Sequence, residues 1–110
     1  MLLPKYKKRT LTQMKRTMTK AIRDLCLRNW NIDFEYGDNR PKHVGPESDR
    51  NRGTAMIWKD ELHALIWVNE GQCKEDNTDP LWVLKHELGH IWIADRQSEE
   101  VRASLIAYLL

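Results

Sequence analysis

Residues 85–90 read Lys85-His86-Glu87-Leu88-Gly89-His90, an H-E-x-x-H pattern inside a helix-like run. On a helix advancing about 100° per residue, the two histidines stand about 40° apart and about 6 Å along the axis. Both imidazoles can therefore reach one ion from the same side. Zinc accepts imidazole nitrogen at about 2.0–2.1 Å, and a catalytic zinc takes three protein ligands plus a water, so the helix would supply two. Glu87 projects beside them and is placed to act on the water as a general base rather than on the metal. Leu84, Leu88 and Ile91 repeat at i, i+4 and i+7 and would hold the helix on a core, with the histidines toward the other side.

Signals on either side give the motif its setting. Asp79 is an N-cap and Pro80 stands at the first helical position, where a missing N–H costs nothing, so the spacing predicts a helix from Pro80 to about Ala94. Upstream, Leu11, Met14, Met18, Ile22 and Leu25 form one apolar stripe of a helix capped by Thr10 or Thr12 and reaching about Arg28, its methionines read as core. Ile32, Phe34 and Tyr36 alternate with Asp33 and Glu35 as a strand with one wet face. Residues 37–53, with three glycines and two prolines, read as a long loop, the kind that is usually functional or mobile. Thr54 to Trp58 is a second strand, Lys59-Asp60 a turn, and Leu62 to Asn69 a third strand, the last two pairing antiparallel. Glu70 to Asp79 reads as a polar loop. The fold class expected is α+β: a small, three-stranded, mainly antiparallel sheet with an N-terminal helix, the H-E-x-x-H helix and a C-terminal helix bearing glutamates.

That last helix is the place to look for a third ligand. It follows the motif helix after three or four residues, Ser98 can cap it, and acids in its first turn would face back toward the metal. Glu100 is the expected ligand and Glu99 the alternative. Glu100 is favoured if Val101, Leu105, Tyr108 and Leu109 form a buried stripe, which leaves Glu100 at its edge beside Ala103, Ser104 and Ala107. Otherwise both acids merely complement the helix dipole.

The His86-Glu87-Leu88-Gly89-His90 segment and the ending Glu99-Glu100-Val101-Arg102-Ala103-Ser104-Leu105-Ile106-Ala107-Tyr108-Leu109-Leu110 resemble the zincin metallopeptidases of the gluzincin branch, specifically the ImmA/IrrE-type peptidases. Size and element order are similar to the single-domain minigluzincins. The resemblance covers 80–110 closely and 54–70 by element order; residues 1–53 match no family pattern. Metzincins would need Gly and His where this chain has Ile93 and Arg96. The interval from His90 to Glu99 or Glu100 is shorter than gluzincins generally have. The resemblance implies one Zn²⁺ held by His86, His90 and Glu100 or Glu99, hydrolysis of a peptide or protein substrate with Glu87 as general base, and an extended substrate added to the Leu62–Asn69 strand as the free sheet edge. His63, Tyr108 and His43 are the candidates for stabilising the oxyanion. Gly89 would admit a close neighbour against the helix.

Composition limits the other classes. With 110 residues the chain is expected to form one domain, 1–110, which the resemblance implies is a minimal zincin-like one. No apolar run approaches a membrane span, and Met1-Leu2-Leu3 precedes Pro4 and its basic neighbours, the reverse of a signal peptide, so the cytoplasm is expected. Cys26 and Cys73 have no partner at zinc-finger spacing, with Cys26 read as core and Cys73 as loop. Residues 1–30 hold nine Lys or Arg against Asp24 alone, while the remainder is acidic. That asymmetry raises an alternative, a latent or catalytically silent zinc-binding module whose basic helix contacts nucleic acid or an acidic partner. Against nucleic acid, no aromatics interleave the basic residues and no helix-turn-helix follows. A site with no second domain to cover it could also be closed by self-association or by the chain's own loops.

Overall fold

Helix α1 (Leu11–Asp24) begins where Thr10 and Gln13 satisfy one another's backbone: the Gln13 N–H donates to Thr10 Oγ1 at 3.1 Å, and the Thr10 N–H donates to Gln13 Oε1 at 2.9 Å. It stops short of Arg28 because Cys26 adopts a left-handed φ of 57°. The Cys26 and Leu27 amides then donate to the carbonyls of Arg23 and Ile22, closing the helix as glycine usually does. Leu27 turns into the core as a result, and Cys26 lies exposed. The computed structural model of the chain describes residues 3–97, 103 and 106–110.

Three strands follow, β1 (Asn31–Tyr36), β2 (Gly53–Trp58) and β3 (His63–Val68), ordered β1-β3-β2. β2 and β3 form the expected antiparallel hairpin, with Leu62 at φ 49° closing the turn. β1 pairs with β3 in parallel, Asn31 opposite His63 and Tyr36 opposite Val68. The α+β class stands, but the sheet is mixed rather than mainly antiparallel, and β3 is its centre rather than a free edge. The cause lies in β3 itself: Ala64 through Val68 is an unbroken apolar run buried on both faces, which only a central strand can satisfy.

Ala64, Ile66 and Val68 pack on Met14 of α1 and on Val83, Leu84, Leu88 and Ile91 of α3 (Pro80–Arg96). Leu65 and Trp67 pack on Val44 on the opposite side. Residues 37–52, expected as a loop, are therefore a fastened second cover that includes a 3₁₀ turn at Pro46–Arg50. The Trp67 indole donates to the Gly37 carbonyl at 3.0 Å, and the Asn69 amide nitrogen donates to the Asp49 carbonyl at 3.1 Å.

The stretch after β3 is likewise a helix, α2 (Glu70–Glu75), capped by Asn69 Oδ1, which accepts from the Gln72 N–H at 3.3 Å. It buries Cys73, and burial pushes that thiol up to about 12, so it stays neutral and packs as an apolar group. The two cysteines thus exchange the environments expected of them. None of the described helices is long and apolar enough to cross a membrane.

α3 starts as anticipated, with Asp79 accepting from the Leu81 N–H at 3.1 Å, and runs two residues past Ala94. Its position is fixed by packing more than by the cap. Leu84, Leu88 and Ile91 are fully buried, and each such side chain stabilises by about 1.5–3 kcal/mol, against about 1 kcal/mol for a cap. The cap is nonetheless reinforced by Arg9, whose Nε and Nη2 donate to the Asp79 carboxylate at 3.1 and 2.7 Å.

Burial works to raise the Asp79 pKa, but the Arg9 hydrogen bond and charge and the Leu81 amide outweigh it and hold the carboxyl below its ordinary 3.8. The ionised form is therefore the one the fold favours. Its contribution is complete above the ordinary value and vanishes as pH falls through the lowered one. Asp79→Asn, which keeps a capping oxygen, should cost about 1–2 kcal/mol at pH 7, a gap that narrows as pH falls below the ordinary carboxylate value. Thermal unfolding of both proteins across that range checks it, and a gap independent of pH would contradict the charge argument.

Candidate metal centre

α3 presents three functional side chains on the flank that its core face leaves free. His86 and His90 are exposed one turn apart, and Glu87 lies between them toward β2, only 7% exposed. The two histidine Nε2 atoms stand 3.2 Å apart, with the rings nearly perpendicular at 88°. Two nitrogens bound tetrahedrally to one zinc at about 2.05 Å would be about 3.3 Å apart, so these imidazoles already hold the spacing such an ion requires. Trp82, one turn earlier, stacks on His86 with ring centres 5.1 Å apart and limits how that ring can turn. The ligand atoms of His86, Glu87 and His90 all lie within 4.8 Å of one another.

The Glu87 carboxyl receives no hydrogen bond from the described residues. Burial raises its pKa above the ordinary 4.5, and the neighbouring His90 opposes the shift. Its seat is formed by Gly53 at the start of β2. A methyl group built on Gly53 would lie 2.5 Å from Val83 Cγ1, 3.0 Å from Glu87 Cγ and 3.1 Å from Glu87 Oε1. The strand thus approaches the helix as closely as it does because residue 53 has no side chain.

Two clefts meet at this point. One, of about 320 Å³, is lined by Arg50, Asn51, Arg52, Trp82 and His86; the other, of about 490 Å³, by Thr54, Ala55, Ile57, His90 and Ile93. Gly53 and Glu87 border both, so a continuous trough follows β2 across the three metal-motif residues. β2 has one edge unpaired within the sheet, which makes it, and not the Leu62–Asn69 strand, the edge beside the site.

No protein-family model, curated protein or solved structure matches this chain. The site therefore rests on its own residues.

His86, Glu87 and His90 are brought together as expected. Glu100 and its alternative Glu99 lie outside the described residues. Ala103 and residues 106–109 have helical backbone, but Tyr108 is 91% and Leu109 84% exposed, so these two members of the expected stripe are not buried against any of the described residues. The ranking of Glu100 over Glu99 loses that support.

Among the oxyanion candidates, His63 stacks on Trp58 and bonds to Asp33 Oδ2 at 2.8 Å at the start of β3. Neither it, His43 nor Tyr108 lines either cleft. Gly89 has no heavy atom within 4 Å of where a Cβ would stand and borders an open groove between α1 and α3. It admits no close neighbour. The close-approach glycine is Gly53, which in sequence looks like loop punctuation. Arg50, Asn51 and Arg52 gave no sign of a site either, and the only trace of them is the length of the segment they end.

Proposed function

We propose that the chain is a zinc-dependent peptidase in which His86 and His90 bind one Zn²⁺, Glu100 or Glu99 completes the ligand set, and Glu87 is the general base. The observation that carries this is the pair of Nε2 atoms 3.2 Å apart with a buried carboxyl beside them, at the middle of a trough along an unpaired strand. Bound zinc would lower the pKa of a coordinated water toward about 7 and polarise the scissile carbonyl. Glu87 then takes the water's proton and returns it to the departing amine, a task suited to a carboxyl whose surroundings raise its basicity. β2 offers main-chain groups to an extended peptide or unfolded protein, aligning it antiparallel or parallel to the strand. Trp82 holds His86 in place. Free thiols at Cys26 and Cys73 suit a reducing compartment, and we assign the cytoplasm.

One observation favours a second reading. Lys15, Arg16, Lys20 and Arg23 all lie on α1, where they form a cationic face that an acidic partner or nucleic acid could use. Lys20 and Arg23 already pair with Asp24 there, which reduces that charge.

Titration with zinc separates the two. One equivalent should bind, a denatured protein substrate should be cut, and a chelator should abolish cutting until zinc is restored. Zinc bound without cleavage, together with a salt-dependent affinity for DNA, would establish the second reading, and no zinc bound would remove the first.

A further inference from the structure

The structure assigns to the cleft beside His86 a chemistry beyond water activation: selection of a substrate carboxylate. This inference rests on the peptidase reading of the same site. The cleft of about 320 Å³ has a cationic rim made by Arg50 and Arg52. Arg52 is partly committed, its Nη1 donating to Thr78 Oγ1 at 3.1 Å and its Nε standing 3.9 Å from Asp76 Oδ2.

Arg50 is not committed. Among the described residues, its guanidinium meets no carboxylate and donates no hydrogen bond, because Asp49, the nearest acid in sequence, is taken by Arg40 Nε at 2.9 Å. Asp76 stands beside Arg52 and Glu87 lines the inner end of the cleft, so among the described residues Arg50 is the guanidinium of the rim that no carboxylate pairs. It shares that cleft with Trp82, at the end of the trough that a strand-aligned peptide would occupy.

A guanidinium presents a planar fork that matches a carboxylate with two parallel hydrogen bonds. The pocket therefore fits either an Asp or Glu side chain or the terminal carboxylate of a peptide bound along β2. A cationic side chain there would meet Arg50 with like charge and be rejected. The acidic charge must fall on one side of the scissile bond only, because the arginines line the His86 end of the trough and the His90 end carries Thr54, Ala55, Ile57 and Ile93.

Zinc-loaded protein should be incubated with a randomised nonapeptide pool, prepared once with free and once with amidated C termini, and the cut sites read by mass spectrometry. Asp and Glu should be enriched about tenfold at one position on one side of the cut if the pocket takes a side chain, the discrimination of about one good charged contact. If it takes a chain terminus, cutting should concentrate at a fixed distance from the free acid and fade with the amide.

Arg50→Glu should abolish the preference or turn it toward Lys and Arg, while the thermal midpoint stays at the wild-type value. Equal cutting of acidic and neutral members, or a preference that survives Arg50→Glu, would overturn the carboxylate assignment and leave the peptidase reading intact. If nothing is cut, the peptidase reading fails, and binding decides the remainder. A fluorescein-labelled Glu-rich peptide should then bind wild-type protein at least about fivefold more tightly than its Gln twin, and equally to both in Arg50→Glu. Equal binding of the twins to wild type would overturn the inference.

Discussion

Replacing Glu87 with Gln should leave zinc affinity within about threefold of wild type and reduce peptide cleavage by about 10²–10⁴-fold, the usual contribution of a positioned general base. The two effects separate because the imidazole pair does not depend on the carboxylate for its spacing: Trp82 and the helix hold it. Gln keeps the volume of Glu and loses the basic oxygen, so a loss of activity cannot be ascribed to a collapsed pocket. Loss of zinc along with activity would make Glu87 a ligand instead, and retained activity would move the base elsewhere.

The same variant carries a stability signature. In the metal-free chain the Glu87 pKa lies above its ordinary 4.5 because burial disfavours the charge. Below the ordinary value both folded and unfolded chains are protonated and nothing is lost. As pH rises through it the unfolded chain ionises first, so wild type loses stability that the glutamine variant keeps. Metal-free Glu87→Gln should therefore melt higher than wild type at pH 8, by a margin that closes near pH 4.

Gly53→Ala should damage fold and site together, because its added methyl meets Val83 and Glu87 of α3. Its Cβ would stand 2.5 Å from Val83 Cγ1, a stiff and buried partner, so either β2 retreats from α3 or Val83 leaves its rotamer. Overpacking of this kind costs about 1–3 kcal/mol. A displacement of about 1 Å at Glu87 would lower cleavage by about 10²-fold.

Val83→Ala supplies the check, because it removes the closest contact and leaves only the 3.0 and 3.1 Å contacts to Glu87, whose side chain can swing. The double variant should recover most of the stability lost to Gly53→Ala but only part of the activity. Strictly additive stabilities would show that the strand and helix are not in the contact described.

The H-E-x-x-H site and its helix were legible because their information is local. Two histidines four apart, a buried stripe at Leu84, Leu88 and Ile91, and an Asp-Pro start are all written between Asp79 and Arg96. What escaped was carried by distant partners or by unusual residues in ordinary roles. The end of α1 is closed by a cysteine where a glycine would have announced it. α2 has no apolar period, since it turns only Cys73 inward, and its cap Asn69 looks like the end of a strand.

The strand order could not be read from alternation alone. The uninterrupted burial of Ala64 to Val68, beside the half-wet alternation of Asn31 to Tyr36, is nevertheless the signature of centre against edge. Gly53 and the arginines before it acquire meaning only once β2 is laid against α3.

The latch at the head of α3 has a consequence for the order in which the protein is made. The Asp79 amide donates to the Pro4 carbonyl at 2.9 Å, the Tyr6 amide to Asn77 Oδ1 at 3.2 Å, and Arg9 closes on the Asp79 side chain. Residues translated 70 positions earlier thus finish the start of the helix that bears His86, Glu87 and His90. A nascent chain must keep residues 4–9 unspent until that helix emerges, so the start of the metal-motif helix is completed by a segment that has waited some 70 positions for it.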